Sequence, residues 1–268
     1  MKSEQKLPLI IAHRGASLVA PENTMAAFER AVEDGAEGIE FDVGLTADGV
    51  PVVFHDSSLK RVANDQTQIR KLRLKDLSDV DIGTWFNTNN PEHANENFRG
   101  VGIPTLKAVL DYLSDFSGPI YVEIKSSGAE SARIAEQTAG VLNGFPRLNL
   151  IVKSFDFETI PVIKKLCPDA GIAALFAPNI MRILRKEKRL VNITREIGAE
   201  RLSLHFSLAT KKLMKAANEA DIPVTIWTVD SKRLLKRSAS LGVHSVITND
   251  PKRLTEKRDL NLNGYSII

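Results

Sequence analysis

Five side chains in this sequence have the makings of a metal-assisted acid–base site. Glu40 and Asp42 stand two residues apart in the apolar run G-I-E-F-D-V at 38–43, Glu123 stands in Y-V-E-I-K at 121–125, and His13 and His55 each follow a short apolar run. Burying an unpaired carboxylate costs several kcal/mol, so acidic residues inside apolar stretches call for a reason. Pairing with Arg14 and Lys125 in a structural ion network is one. A bound cation is the sharper one, because three carboxylates converging on one spot repel each other without it. Hard oxygen ligands with no cysteine among them suit Ca²⁺ or Mg²⁺ rather than zinc. Such a cation, with Arg14 and Lys125, makes a surface suited to a phosphate group. Histidine is the side chain best matched to proton transfer near neutral pH, and His13 and His55 provide one acid and one base. No G-x-S-x-G elbow or reactive cysteine competes for the nucleophile's role. The chemistry implied is metal-assisted cleavage of a phosphoester, with the substrate left open.

The elements that must position these residues are legible in part. In a strand, the two-residue spacing of Glu40 and Asp42 puts both on one face. Asp48-Gly49 is a strong hairpin signal. A tight two-residue turn there sets His55 opposite Asp42. Residues 9–12 form a short apolar strand that ends in His13-Arg14-Gly15, and a helix is expected over 24–34. Asn23 caps that helix, Gly35 ends it, and Ala27, Phe28, Ala31 and Val32 give it an apolar stripe. The regular pattern then fails over about 57–103, a polar stretch too long for a loop in a compact domain. A small inserted subdomain is expected there, with Leu72, Leu74 and Leu77 suggesting one short helix. A helix starts at Pro104, and apolar strands follow at 120–124, 150–155, 172–176, 202–206, 224–229 and 243–248, separated by helical stretches. With the first two strands this makes eight β/α units, which predict a (β/α)8 TIM barrel occupying residues 1–268 as one domain. An open doubly wound sheet is the alternative, but no G-x-G-x-x-G follows the first strand. In such a barrel the site lies at the C-terminal strand ends. Trp227, near the end of the seventh strand, faces the same mouth.

Composition narrows the function classes. The chain has 268 residues, 43% hydrophobic and 26% charged, with a net charge of +3 and pI near 8.9. Its basic residues are interspersed with acidic ones, unlike the basic-aromatic patch of a nucleic-acid binder. The single cysteine, Cys167, excludes an internal disulfide and reads as a buried structural thiol in a reducing compartment. No signal peptide is visible, and no apolar run approaches the ~20 residues that span a bilayer. A cytoplasmic protein without stable membrane association is expected. The basic runs at 182–189 and 232–237 read as solvated helix faces, and His205 as structural.

Several longer strings resemble one family. They are H-R-G-A at 13–16, P-E-N-T-M-A-A-F at 21–28, G-I-E-F-D-V at 38–43, T-A-D-G-V-P-V-V-F-H-D at 46–56, Y-V-E-I-K at 121–125, P-T-L at 104–106, S-F-D at 154–156, W-T-V at 227–229 and T-N-D-P at 248–251. In this order they resemble the glycerophosphodiester phosphodiesterases, above all the short cytoplasmic bacterial type. The resemblance implies a barrel with an insertion after the second strand. It implies hydrolysis of small glycerophosphodiesters, the deacylated phospholipid head groups, to glycerol 3-phosphate and an alcohol. It also implies His13 and His55 as the catalytic pair, Glu40, Asp42 and Glu123 as divalent-metal ligands, Arg14 and Lys125 on the phosphate, and Trp227 beside glycerol or head group. Glu22 and Asn23 match the family's pattern too, and loop closure and capping account for them. The suggested mechanism is attack by the neighbouring glycerol hydroxyl, followed by opening of a cyclic phosphate by water; direct attack by water fits the residues equally. A lysophospholipase D-like activity is an alternative that needs an apolar channel, for which the insertion offers only Trp85, Phe86 and Phe98. A catalytically silent phosphate-ester binding module is a third, and the presence of both histidines speaks against it.

Overall fold

Eight short strands run parallel and close on themselves. In the computed structural model, which describes residues 7–126, 128–180 and 187–264, they belong to the set β1 (Leu9–His13), β2 (Gly38–Leu45), β3 (Pro51–Val53), β4 (Pro119–Ile124), β5 (Asn149–Ser154), β6 (Gly171–Phe176), β7 (Arg201–His205), β8 (Val224–Trp227) and β9 (Ser245–Thr248). The order is β1-β9-β8-β7-β6-β5-β4-β2-β3, and a further β1–β2 pairing closes the ring. Only β3 is antiparallel, hairpinned onto β2 and outside the ring. The (β/α)8 barrel predicted from the alternation is therefore the fold.

Strand parity explains how the barrel becomes a site. One face of each strand packs on the surrounding helices in a continuous apolar core that includes Ile10, Ala12, Phe41 and Val122. The opposite face points down the barrel axis, where Ile11, Tyr121, Ile151, Ala173 and Ile247 form an apolar plug. Tyr121 is fully buried, and its hydroxyl is satisfied by Thr225 Oγ1 at 3.0 Å. Two residues further along β1, β4 and β5 the same inward face carries His13, Glu123 and Lys153 instead. The apolar plug ends where the chemistry starts.

Two local expectations change. The helix Met25–Glu33 is capped by Thr24, whose Oγ1 accepts from Ala27 N at 3.2 Å. Asn23 lies at φ +59° and bonds Asp42 instead, so it cannot be the cap. The hairpin loop holds three residues rather than two. Val43 pairs with Val53 and Leu45 with Pro51, leaving Ala47-Asp48-Gly49 between Thr46 and Val50, with Gly49 at φ +82°. A glycine in the left-handed region is what a three-residue hairpin loop requires. The register slips by one, so Asp42 O accepts from Phe54 N at 3.0 Å and His55 lies one residue beyond.

Residues 57–103 form only short pieces, among them the helices Lys60–Ala63 and Gly83–Asn89 and the 3₁₀ turns Ile69–Lys71 and Leu74–Leu77. They gather around a small core of Leu59, Val62, Ile69, Leu77, Ile82 and Ile103, joined to Val52 and Phe54 of the hairpin. No piece is long enough to show an apolar stripe. Cys167, which follows the helix Thr159–Leu166, is buried and unbonded to another cysteine. Of the basic run at 182–189, residues 182–186 lie outside the described residues, while Lys188 and Arg189 open an exposed turn of the helix Lys188–Glu196. No helix among the described residues is long and apolar enough to cross a membrane.

Candidate active site

The floor of the mouth is a buried lattice of charge. Glu40, Asp42 and Glu123 are 0%, 1% and 5% exposed, and oxygens from all three lie within 4.8 Å of one another. The β2–β4 register sets Asp42 beside Glu123, and β1–β2 sets His13 beside Glu40. Three cations interleave with them. Lys125 Nζ contacts Asp42 Oδ1 at 3.0 Å and also Glu123 Oε1. Arg14 Nε lies 3.0 Å from Asp42 Oδ2. Lys153, which the sequence reading does not single out, reaches Glu40 at 2.8 Å and Glu123 at 3.0 Å from full burial. Its signal was available: Lys153 interrupts the apolar run of β5 just as Lys125 follows that of β4.

These neighbours decide the protonation of the floor. Burial alone would neutralise Asp42, but Lys125 and Arg14 hold its carboxyl far below the usual range. Burial works against Glu123 in the same way, and Lys153 overcomes it, so this carboxyl too is held below its ordinary value. Lys153 in turn would lose its proton to burial, yet Glu40 and Glu123 keep it charged. With three cations interleaved among the three acidic side chains, repulsion between carboxylates does not by itself demand a metal. The donor set supports one on other grounds. Glu40 Oε1 is buried with one close partner, Lys153 Nζ at 2.8 Å. A carboxylate oxygen has two lone pairs, so one remains among these clustered hard ligands for a divalent cation.

The rim carries the histidines. His13, ending β1, places Nε2 3.9 Å from Glu40 Oε2 and Nδ1 2.6 Å from Asn249 Oδ1. Asn249 is itself oriented, since its Nδ2 donates to Asp230 Oδ2 at 2.8 Å and its backbone N to Asp230 Oδ1 at 2.8 Å. With the amide nitrogen so committed, its oxygen must accept from His13 Nδ1. His55 Nδ1 meets Asp56 Oδ1 at 2.6 Å. It sits past the end of β3, free of strand parity, so the one-residue slip does not turn it away. It remains near enough to Asp42 to help hold that carboxylate charged.

Glu22 and Asn23 do more than close a loop. Asn23 Nδ2 donates to Asp42 Oδ2 at 2.9 Å, and Glu22 Oε1 accepts from Arg14 Nη1 at 2.8 Å. Across the mouth, Trp227 ends β8 in edge-to-face contact with Phe155 and with His205, centroids 6.0 and 5.3 Å apart. On the His55 side a cavity of about 630 Å³ is lined by His55, Asp56, Lys125 and Ser126 with Gln68 and Ile69 of the 57–103 segment, and of the floor residues Lys125 alone borders it. A larger one, about 1200 Å³, lies at the opposite barrel end between Leu9, Arg201, Val224 and His244 and holds none of the floor residues. His55 and Lys125 put the first beside the candidate site.

A barrel whose strand ends join three carboxylates, three cations and two oriented histidines defines a phosphoester-cleaving type of site. The profile of the Glycerophosphoryl diester phosphodiesterase family matches residues 13–253, and the chain belongs to that family. It is 32% identical over 249 residues to the glycerophosphodiester phosphodiesterase of Caldanaerobacter subterraneus subsp. tengcongensis, covering 92% of this chain and 96% of that one. It is 29% identical to the glycerophosphodiester phosphodiesterase of Bacillus subtilis, covering 91% and 84%. Among solved structures it is similar to an Oleispira antarctica phosphodiesterase in complex with the product sn-glycerol-3-phosphate, with TM-score 0.83, 25% identity and coverage of 94% and 97%.

Proposed function

We propose that this chain hydrolyses glycerophosphodiesters, small deacylated phospholipid head groups, to glycerol 3-phosphate and an alcohol. The observation that carries the reading is the pair of histidines at the rim of the charged floor, each with Nδ1 held at 2.6 Å by a side-chain oxygen. Holding Nδ1 leaves Nε2 as the proton-transferring atom. One histidine removes the proton from the attacking hydroxyl, and the other delivers one to the leaving alcohol. Attack by the neighbouring glycerol hydroxyl gives a cyclic phosphate that water opens.

Arg14 and Lys125 bind the phosphate, being the cations at the upper edge of the floor, while Lys153 beneath them holds the carboxylates in place. Glu40, Asp42 and Glu123 would hold a divalent cation, Ca²⁺ or Mg²⁺. When bound, such an ion acts as a Lewis acid that offsets charge on the phosphate oxygens. Trp227, whose Nε1 is buried without a hydrogen-bond partner, lies against the glycerol or head group. The product bound in the Oleispira relative is the one this reading assigns. The single buried thiol suits a reducing compartment, and we place the activity in the cytoplasm, with no nucleic acid and no stable membrane association.

Phe155, 49% exposed beside Trp227, is the one observation that favours a lysophospholipase D-like reading, since it could meet an acyl chain. An assay of choline or ethanolamine release from glycerophosphocholine, glycerophosphoethanolamine and a lysophospholipid, with and without chelator, separates the two. The proposal expects turnover of the deacylated substrates and its loss on chelation. No turnover of any glycerophosphodiester overturns it and leaves a phosphate-ester binder.

A further inference from the structure

Arg61 opens the 57–103 segment, outside the barrel strands, yet its guanidinium reaches two carboxylates that each hold a residue of the site. Nε donates to Asp56 Oδ2 at 2.6 Å, while Nη2 and Nη1 donate to Glu22 Oε1 and Oε2 at 2.6 and 3.2 Å. The other oxygen of Asp56 accepts from His55 Nδ1, and Glu22 Oε1 also accepts from Arg14 Nη1 at 2.8 Å. The Trp85 ring lies 5.0 Å from Arg61 Cζ, so the segment's own core backs the guanidinium.

We propose that Arg61 is a positioning residue of this site, fixing His55 through Asp56 and Arg14 through Glu22. The inference rests on the phosphodiesterase reading given above. Its physical basis is the shape of the guanidinium. A planar fork can satisfy two carboxylates in fixed directions at once, and a lysine ammonium cannot. Partly exposed ion pairs add little to stability. The side chains here are 36%, 22% and 23% exposed for Arg61, Glu22 and Asp56, so the network's main effect is on geometry. With Arg61 removed, Asp56 can rotate away from His55 and Glu22 can follow Arg14, loosening both. The segment 57–103 then belongs to the catalytic machinery as the brace of one side of the mouth.

The two arms have different kinetic signatures. Loosening His55 lowers kcat, whereas loosening Arg14, the proposed phosphate ligand, raises KM. Asp56→Asn is therefore expected to lower kcat, Glu22→Gln to raise KM, and Arg61→Met to do both, with kcat/KM down about 100-fold, the scale of a lost orienting partner. Because Arg61 and Asp56 act on His55 in series, Arg61→Met/Asp56→Asn should lower kcat no further than Asp56→Asn alone. Multiplicative losses in the double variant, or an Arg61→Met enzyme within twofold of wild type, overturn the proposal. If Arg61→Met does not fold, Arg61→Lys replaces it, and wild-type kcat/KM in that variant overturns it equally. A readout independent of turnover keeps the two readings apart. In ¹⁵N-histidine-labelled protein the His55 Nδ1 proton should be visible in wild type and lost to exchange with water in the Arg61 variant. A wild type that shows this proton but no turnover sinks the phosphodiesterase reading alone; an Arg61 variant that retains it sinks the brace.

Discussion

Glu40, Glu123 and Lys153 sit on strands at 0%, 5% and 2% exposure, whereas His13, His55 and Arg61 stand at strand ends or on connections with side chains 19%, 33% and 36% exposed. The floor is placed by β-pairing and alternation, so its geometry comes with the fold. The rim is placed by side-chain contacts between residues far apart in sequence, such as His13 with Asn249 and Arg61 with Glu22. Removing a floor residue should therefore damage fold and function together. Removing a rim contact should damage function while changing stability little.

The largest effect is expected at the floor. Lys153→Met leaves Glu40 and Glu123 buried with one fewer cation, which costs about 3–5 kcal/mol when a buried pair is broken. Denaturant unfolding should show that loss of stability along with loss of turnover. A variant as stable as wild type would contradict the view of the floor as a structural unit. Next, exhaustive chelation should lower turnover by a factor on the order of 100 or more, the scale of a lost Lewis acid. Restoration by Ca²⁺ or Mg²⁺ then identifies the ion. Undiminished turnover would confine the three carboxylates to their ion pairs.

At the rim, Asn249→Ala should slow kcat by about 10–100-fold through His13, with an unfolding midpoint close to wild type. A matching fall in stability would move Asn249 from rim to floor. The smallest effect is in acid. Burial would raise Glu22 and Asp56, but hydrogen bonds from Arg61 outweigh it and hold both below the usual carboxylate range. A carboxylate with a depressed folded pKa contributes stability that is complete above its unfolded value, about 4, and is lost as pH falls through the folded one. Wild type should thus lose more stability between about pH 5 and pH 2 than Arg61→Met does. Parallel acid curves would show that the rim adds no linked stability.

The same contrast sets how much the chain reveals on its own. The barrel is legible because continuous apolar runs alternate with helical stripes. Glu40, Asp42 and Glu123 stand out because charge inside such runs has few explanations. Lys153 is legible by that logic also, as the one basic residue in the run of β5. Asp56, Arg61, Asn249 and Asp230 are not, because polar residues in loops are ordinary and only the folded chain shows which of them meet. The hairpin shows the limit within one motif. Asp48-Gly49 marks the turn correctly, but two- and three-residue loops share that pair, and only Thr46 pairing with Val50 settles the register. Asn23 differs again, since a good capping residue one position early is a side chain released to hold Asp42.

The central claim is that two rim histidines perform proton transfer above a floor that survives their removal. It is tested most directly by measuring glycerol 3-phosphate release from glycerophosphocholine by wild type, His13→Ala and His55→Ala, each checked for an unchanged unfolding midpoint. Turnover by wild type, with each variant slower by about 10²–10⁴-fold, the usual reach of acid–base catalysis, is the predicted result. Either variant, folded and turning over at the wild-type rate, would contradict it.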